Sequence, residues 1–479
     1  MSHHDRHLFA KQVERDLAEA ASPDTAVGTR GDVTDLLFSD DELALRFTER
    51  YGDDLRYVDK WGRWMHYDDA RCWREDATLK VFDRSRIICR EAREECVANE
   101  KLSLAKQLTS ANTVAGVERL ARSDPRTAAV PDQWDADPWL LNTPAGVVDL
   151  HSGKMRDHRR DEYCTKITSV GPGGECPQFM KFLERVTDGD RDLQAFLQRM
   201  CGYGLTGSTR DEALFFLYGS GANGKSKFLG AISGALGDYA KTAPIETFIA
   251  SNGEHHPTDL AGLQGARLVF SIETEDGRRW AESKIKALTG GDRISARFMR
   301  QDFFEFTPQF KLVIAGNHKP SLRSVDEAIR RRFYLVPFVV TIPEAERDEL
   351  LAEKLRVEWP GILAWTIEGC LAWQRDGLSP PEAVKIATAE YMADEDSFGT
   401  WIAESCSTGY GFKARSSALY DDYSAWCERS KERPMASRKF SPELERRGYV
   451  KQNTMIGMIF EGIGLRSRAE PEEVRNDTH

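Results

Sequence analysis

The stretch Gly219-Ser220-Gly221-Ala222-Asn223-Gly224-Lys225-Ser226 comes directly after the apolar run Leu214-Phe215-Phe216-Leu217-Tyr218. This is the G-x-x-x-x-G-K-[ST] spacing of a phosphate-binding loop, set between a strand and a helix start. It constrains the fold strongly, because such a loop works only where a buried strand delivers it and a helix leaves it. Glycines let successive backbone N–H groups turn inward around an anion, where a Cβ would clash. The helix expected from Lys227 to about Gly237 aims the positive end of its dipole at the same anion. In this pattern Gly219 to Ser226 cradle a nucleoside triphosphate. Lys225 reaches the β/γ-phosphates and the Ser226 hydroxyl ligates Mg²⁺.

The chain has 479 residues, 41% hydrophobic and 30% charged, which suits roughly three soluble globular domains. No apolar run approaches the roughly 20 residues needed to span a bilayer. The charged, polar N-terminus does not read as a secretory signal. Nine cysteines lie scattered with no C-x-x-C pair, which argues against a disulfide framework or zinc site and for a reducing cytoplasm. A net charge of −11 does not by itself suggest a nucleic-acid partner, but distribution matters more than the total. Residues 411–451 carry ten Lys/Arg against six Asp/Glu, and residues 291–333 carry nine against five. Both segments keep DNA binding open.

Residues 1–40 read as a flexible extension with a short amphipathic helix near 6–20. Residues 41–175 read as a mixed domain: a helix from Asp40, short aromatic strands near 55–73, one long helical stretch at about 79–122, and a turn and strand at 142–150. Pro172-Gly173-Gly174 is the linker candidate, and 176–205 a helical collar. The core at 206–345 carries apolar runs at 214–218, 268–272, 311–315 and 334–339, separated by crossovers. That pattern predicts an α/β fold with a mostly parallel sheet. A helical segment (346–397), a small domain (398–465) and a charged tail (466–479) complete the chain.

Three strand ends in the core carry chemistry. Leu268-Val269-Phe270-Ser271-Ile272 delivers Glu273, with Glu275 as second choice, to the carboxyl end of a strand, where α/β sheets place ligands. An acid there holds the metal or polarises the attacking water. Lys311 to Gly316 ends in Asn317, a neutral amide able to orient water beside a γ-phosphate. Ala328-Ile329-Arg330-Arg331-Arg332-Phe333 then precedes the apolar strand Tyr334 to Phe338. A guanidinium supplied to a γ-phosphate stabilises charge developing in the transition state, often from a neighbouring subunit. Between acid and amide, Ile294–Met299 and Phe303–Phe306 flank Arg300 as a hairpin, with Arg297 beside it. A cation with flanking aromatics suits the grip of a nucleic-acid backbone. Asp188-Gly189-Asp190 and Asp135-Ala136-Asp137 have D-x-D spacing but end no β-run, and read as turn acids.

In order and detail, GSGANGKS, the Glu273 strand, IKALTGGDRISARFMRQDFFEF, LVIAGNHKP and DEAIRRRF resemble superfamily 3 helicases. Within them they are most similar to the phage/plasmid primase C-terminal family, which includes the poxvirus primase–helicase. The similarity runs from about residue 42 to 465. It implies a P-loop AAA+-like ATPase core assembled as a homo-hexameric ring. Such a ring hydrolyses ATP with Mg²⁺ at subunit interfaces and translocates on single-stranded or forked DNA, 3′ to 5′. By position, Lys225, Ser226 and Glu273 act on ATP and Mg²⁺, and Asn317 is the first sensor. Lys286 is a further phosphate-side sensor and Arg332 the trans-acting finger, with Arg331 open as its alternative. Arg300, with Arg297, contacts DNA. The implied setting is phage, prophage or plasmid replication in the cytoplasm of a bacterial host, without a membrane partner. About 40 residues precede the matching region, too few for a polymerase domain, so a separate primase is expected.

The terminal domain fits a C-terminal winged helix: one helix at Ser416–Arg429, a recognition helix at Ser437–Arg447 presenting Arg438 and Lys439 to DNA, and wing strands at 449–451 and 455–460. Two other readings stay open. An ATP-dependent replication initiator that remodels duplex DNA shares every motif. A small-molecule kinase would need only the loop.

Overall fold

In a computed structural model of the chain, the described residues are 37–250, 258–273, 277–300, 302–322, 325–430, 434–454 and 457–466. The amphipathic helix expected near 6–20, Glu275 and the tail after 466 lie outside them. The chain begins with α1 (Asp40–Tyr51), whose N-terminus is capped by the Ser39 side chain accepting from Glu42 N. Strands β1 (Leu55–Val58), β2 (Arg63–Tyr67) and β3 (Trp73–Glu75) follow. Then come helices α2 (Lys80–Ala98), α3 (Leu102–Leu108) and α4 (Ala111–Ala121). The single long helix expected at 79–122 is therefore three. Glu100 takes a left-handed φ of 58°, and Ser110 starts a new helix by accepting from Thr113 N at 3.1 Å. Both are local breaks that apolar periodicity does not register.

Strand β4 (Ala128–Ala129) joins β1 in parallel to complete a four-stranded sheet. The antiparallel β5 (Leu140–Thr143), β6 (Gly146–Asp149) and β7 (Lys154–Arg156) form a second sheet. The D-x-D acids are structural here. Asp135 accepts from Thr165 N at 2.7 Å, and Asp190 caps a helix by accepting from Leu193 N at 3.0 Å. Asp190→Ala should cost about 1 kcal/mol of stability, read by thermal or denaturant unfolding, with nucleotide binding unchanged.

The capped helix is α6 (Arg191–Leu205), preceded by α5 (Pro177–Val186). The core continues with β8 (Leu214–Tyr218), α7 (Lys225–Leu236), β9 (Ala240–Thr242), the short α8 (Thr258–Ala261) and β10 (Leu268–Glu273). Helix α9 (Glu282–Gly290), the hairpin β11 (Ile294–Ala296) and β12 (Phe304–Phe306), β13 (Lys311–Gly316), α10 (Glu327–Arg330) and β14 (Phe333–Pro337) follow. Five of these strands make one fully parallel sheet in the order β14-β8-β13-β10-β9. The four apolar runs are its four longer strands. Strand β9, Ala-Lys-Thr, has no apolar run to announce it.

Both faces of this sheet are buried, as parallel sheets require. Phe215 and Leu217 of β8 face a core shared with α5, α6 and α7. Leu214 and Phe216 face a second core with Ile285, Leu288 and Ile329. Helices α11 (Leu351–Val357), α12 (Trp359–Asp376) and α13 (Glu382–Asp394) then pack back on the sheet. The C-terminal unit runs α14 (Ser397–Ser405), β15 (Cys406–Arg415), α15 (Ser416–Arg429), α16 (Ser437–Arg446), β16 (Val450–Thr454) and β17 (Gly457–Leu465). Its antiparallel sheet has the order β15-β17-β16. No helix of the described residues is long and apolar enough to cross a membrane.

Candidate functional site

The glycine-rich loop leaves the carboxyl end of β8 and enters α7 at Lys225. Gly224 holds a φ of 83°, and a Cβ there would come within 2.5 Å of Val186 and 2.9 Å of Phe182 on α5. Only glycine allows both that backbone turn and that approach. The Asn223 amide donates to Phe338 O at 2.9 Å, tying the loop to the segment after β14. The loop walls a cavity of about 320 Å³ with Ile272, Ala315, Gly316 and Asn317. That volume suits a small ligand. Ser226 is exposed on its rim.

Lys225 is 6% exposed. Its Nζ donates to Gly219 O at 2.7 Å and to Asn317 Oδ1 at 3.3 Å. Both acceptors are neutral, and burial lowers the pKa of this amine from its ordinary value. A desolvated cation resting on neutral oxygens gains strongly from an incoming anion. Glu273 closes β10 with its Cα opposite Gly316, one residue before Asn317. Its side chain lies outside the described residues.

The arginine triplet sits elsewhere. Phe333 pairs with Leu214 at the start of β8, while the glycine loop follows Tyr218 at its end. Five strand residues put about 15 Å between the two ends. Arg332 is 5% exposed. Its Nε donates to Thr289 Oγ1 at 3.2 Å and its Nη1 to Ala328 O at 2.7 Å, while its Nη2 pairs with Glu212 at 2.6 Å. Arg331 pairs with the same carboxylate at 2.8 Å, yet its side chain keeps 58% exposure. Lys286 joins this end through Asp326, the residue capping α10, at 2.5 Å. Arg330 faces Asp396 at 3.7 Å.

The residues singled out from sequence thus fall into two groups. Lys225, Ser226, Asn317 and the end of β10 meet at the carboxyl edge of the sheet. Lys286, Arg331 and Arg332 meet at the amino edge. Glu212 was missed. Its sign in the sequence, an acid just before the β8 run, means little until β14 is known to lie beside β8.

Two further surfaces carry the candidate DNA contacts. Arg300 lies between the strands of the β11–β12 hairpin, exposed, in the left-handed region at φ 62°. Arg297 is also exposed and stacks its guanidinium on Phe303, 4.6 Å from the ring centroid. Met299 and Phe303 beside them are 67% and 58% exposed. Helix α16 divides its two ends. Arg438 and Lys439 are exposed at its first turn. At its last, Arg447 grips Asp396 at 2.5 and 3.1 Å and Arg446 donates to Val325 O at 3.4 Å.

Residues 44–188 match the family described as D5 N terminal like. Residues 217–332, which hold the loop, the hairpin, Asn317 and the arginine triplet, match a family of unknown function, DUF5906. Three viral proteins with provisional helicase designations are similar. L207/L206 of Acanthamoeba polyphaga mimivirus is 26% identical over 71% of this chain. The 121R protein of Invertebrate iridescent virus 3 is 25% identical over 46%, and 022R of Frog virus 3 is 27% identical over 45%. The chain spans 40%, 25% and 24% of their lengths, respectively. Among solved structures, the apo NrS-1 C-terminal region aligns over 89% of this chain at 9% identity and a TM-score of 0.46. The resemblance to viral primase–helicase proteins read from the motifs is borne out by the family matches and the viral relatives.

Proposed function

We propose that this chain is the subunit of an ATP-driven DNA helicase acting in phage-, plasmid- or virus-type replication. The observation that carries the reading is the division of one predicted site between opposite edges of a single parallel sheet. An arginine about 15 Å from its own glycine loop cannot serve a phosphate bound there. It can serve the loop of a second copy. Strand order β14-β8-β13-β10-β9 with the loop on the interior strand β8, between β14 and β13, supports an AAA+-like core working as a ring, with six copies and 3′-to-5′ movement as the family-derived expectation. The helicase designations of the three viral relatives point the same way.

In the proposed mechanism the loop N–H groups and the end of α7 hold the triphosphate chain. The Lys225 ammonium turns from its two neutral acceptors to the β/γ-phosphates, and Asn317 orients the attacking water. Ser226, with Glu273, would hold Mg²⁺, which neutralises charge building on the phosphates. Arg331 or Arg332 arrives from the adjacent subunit to stabilise the transition state. The exposed hairpin with Arg297 and Arg300 grips single-stranded DNA. The helix–strand–helix–helix–strand–strand order of the C-terminal unit supports a winged helix, with Arg438 and Lys439 on phosphates.

The test is displacement of a labelled strand from a forked duplex with ATP and Mg²⁺. Wild type should unwind, Lys225→Ala should not, and Arg300→Ala should keep DNA-independent hydrolysis while losing at least about tenfold in unwinding. Hydrolysis stimulated by DNA without displacement on any fork would replace the helicase reading with that of a replication initiator.

A further inference from the structure

Residues 206–213, between α6 and β8, form a loop fastened from several sides. Gly207 N donates to Pro138 O at 2.8 Å. Asp211 N donates to Tyr203 Oη at 3.1 Å, and its carboxylate accepts from Trp373 Nε1 at 2.6 Å. The Arg210 guanidinium lies over the Trp373 ring, 4.4 Å from its centroid. Glu212 follows with a φ of 48°, in a region that a residue with a side chain adopts only when its surroundings impose it. Its N–H donates to Thr209 O at 2.9 Å. The backbone that carries Glu212 is thus held by contacts that involve neither arginine side chain, while its carboxylate meets the two guanidinium groups.

From that fixed point one oxygen serves two guanidinium groups. Glu212 Oε2 accepts from Arg331 Nε at 3.1 Å and Nη2 at 2.8 Å, and pairs with Arg332 Nη2 at 2.6 Å. The two arginines differ in what else they touch. Arg332 uses its remaining donors on Thr289 and Ala328 and is enclosed. Arg331 has its other side in solvent. We propose that Glu212 is the positioning residue of the shared ATP site: it fixes Arg331 as the guanidinium offered to the neighbouring copy's γ-phosphate, with Arg332 as the brace behind it. This rests on the hydrolytic reading above and settles its open choice between the two arginines. A free arginine side chain samples many rotamers, and a single carboxylate held by its own loop removes most of them before the neighbour arrives.

The test compares Glu212→Gln, Arg331→Ala and the double variant as full-length chains. Glutamine keeps the size and one acceptor but loses the charge that holds two guanidinium groups, so thermal unfolding is recorded beside the kinetics and rates are compared below the onset of unfolding of each variant. For Glu212→Gln, kcat should fall at least about tenfold while KM for ATP stays within about twofold. The double variant should be no slower than Arg331→Ala, because both changes remove one device. Mixing Glu212→Gln with Lys225→Ala chains should restore hydrolysis, since each supplies the half that the other lacks. A merely structural role would add to the Arg331→Ala loss and would not be complemented by a second chain. Wild-type kcat in Glu212→Gln, additive losses, or no recovery on mixing would overturn the proposal. Lys225→Ala hydrolysing at the wild-type rate would instead overturn the hydrolytic reading itself.

Discussion

Lys225→Ala is expected to lower ATP hydrolysis by about a hundred- to a thousandfold, equivalent to roughly 3–4 kcal/mol of transition-state stabilisation. The size follows from the free geometry. The ammonium is desolvated, and its two partners, Gly219 O and Asn317 Oδ1, are neutral. Its charge is therefore left for the phosphates. The same circumstance predicts the sign of the effect on stability. A buried cation whose partners among the described residues are both neutral burdens the fold, so its removal should leave the unfolding midpoint unchanged or slightly raised. Steady-state hydrolysis and a thermal scan on one preparation check both halves. A variant that loses activity and unfolds early would show the lysine to be a structural tie.

Arg332→Ala should behave in the opposite way. Its guanidinium joins the end of α9, the last turn of α10 and the loop before β8, with all three of its nitrogens engaged. Truncation leaves the Ala328 carbonyl and part of the Glu212 carboxylate without their donor in a closed space. Breaking a buried pair from one side costs about 3–5 kcal/mol, a drop of roughly 10 °C in the unfolding of the core. Arg332→Lys should rescue little, because an ammonium cannot meet three acceptors set in a guanidinium plane. Nucleotide binding at the loop, across the sheet, should persist in the fraction that remains folded. Denaturation monitored with and without nucleotide separates the two effects.

These expectations show where sequence reading succeeds and where it stops. Strands β8, β10, β13 and β14 were legible because a parallel strand buried on both faces must be apolar throughout. The loop was legible because its geometry admits few residue types. Strand β15 was not: Cys406–Arg415 contains two glycines, is mostly exposed and breaks register between Thr408 and Lys413. Nothing in it alternates. The hairpin and α16 were placed correctly, but their division of labour was not visible. That Arg446 and Arg447 dock while Arg438 and Lys439 stay exposed depends on Asp396 and Val325, far away in the chain. Glu212 is the sharpest case. Its role is a distance between residues about 120 apart in sequence that only strand adjacency creates.

The strand order also bears on how the chain is made. Strand β8, an interior strand of the sheet, pairs among the described residues with β13 and β14. The first of these emerges from a ribosome roughly 90 residues later, about 5–20 s at ordinary rates of synthesis. Through that interval Leu214–Tyr218 presents an apolar strand with both backbone edges open, the kind of segment that templates aggregation. Expression temperature and holdase supply should therefore govern the soluble yield of this protein more than its final stability does.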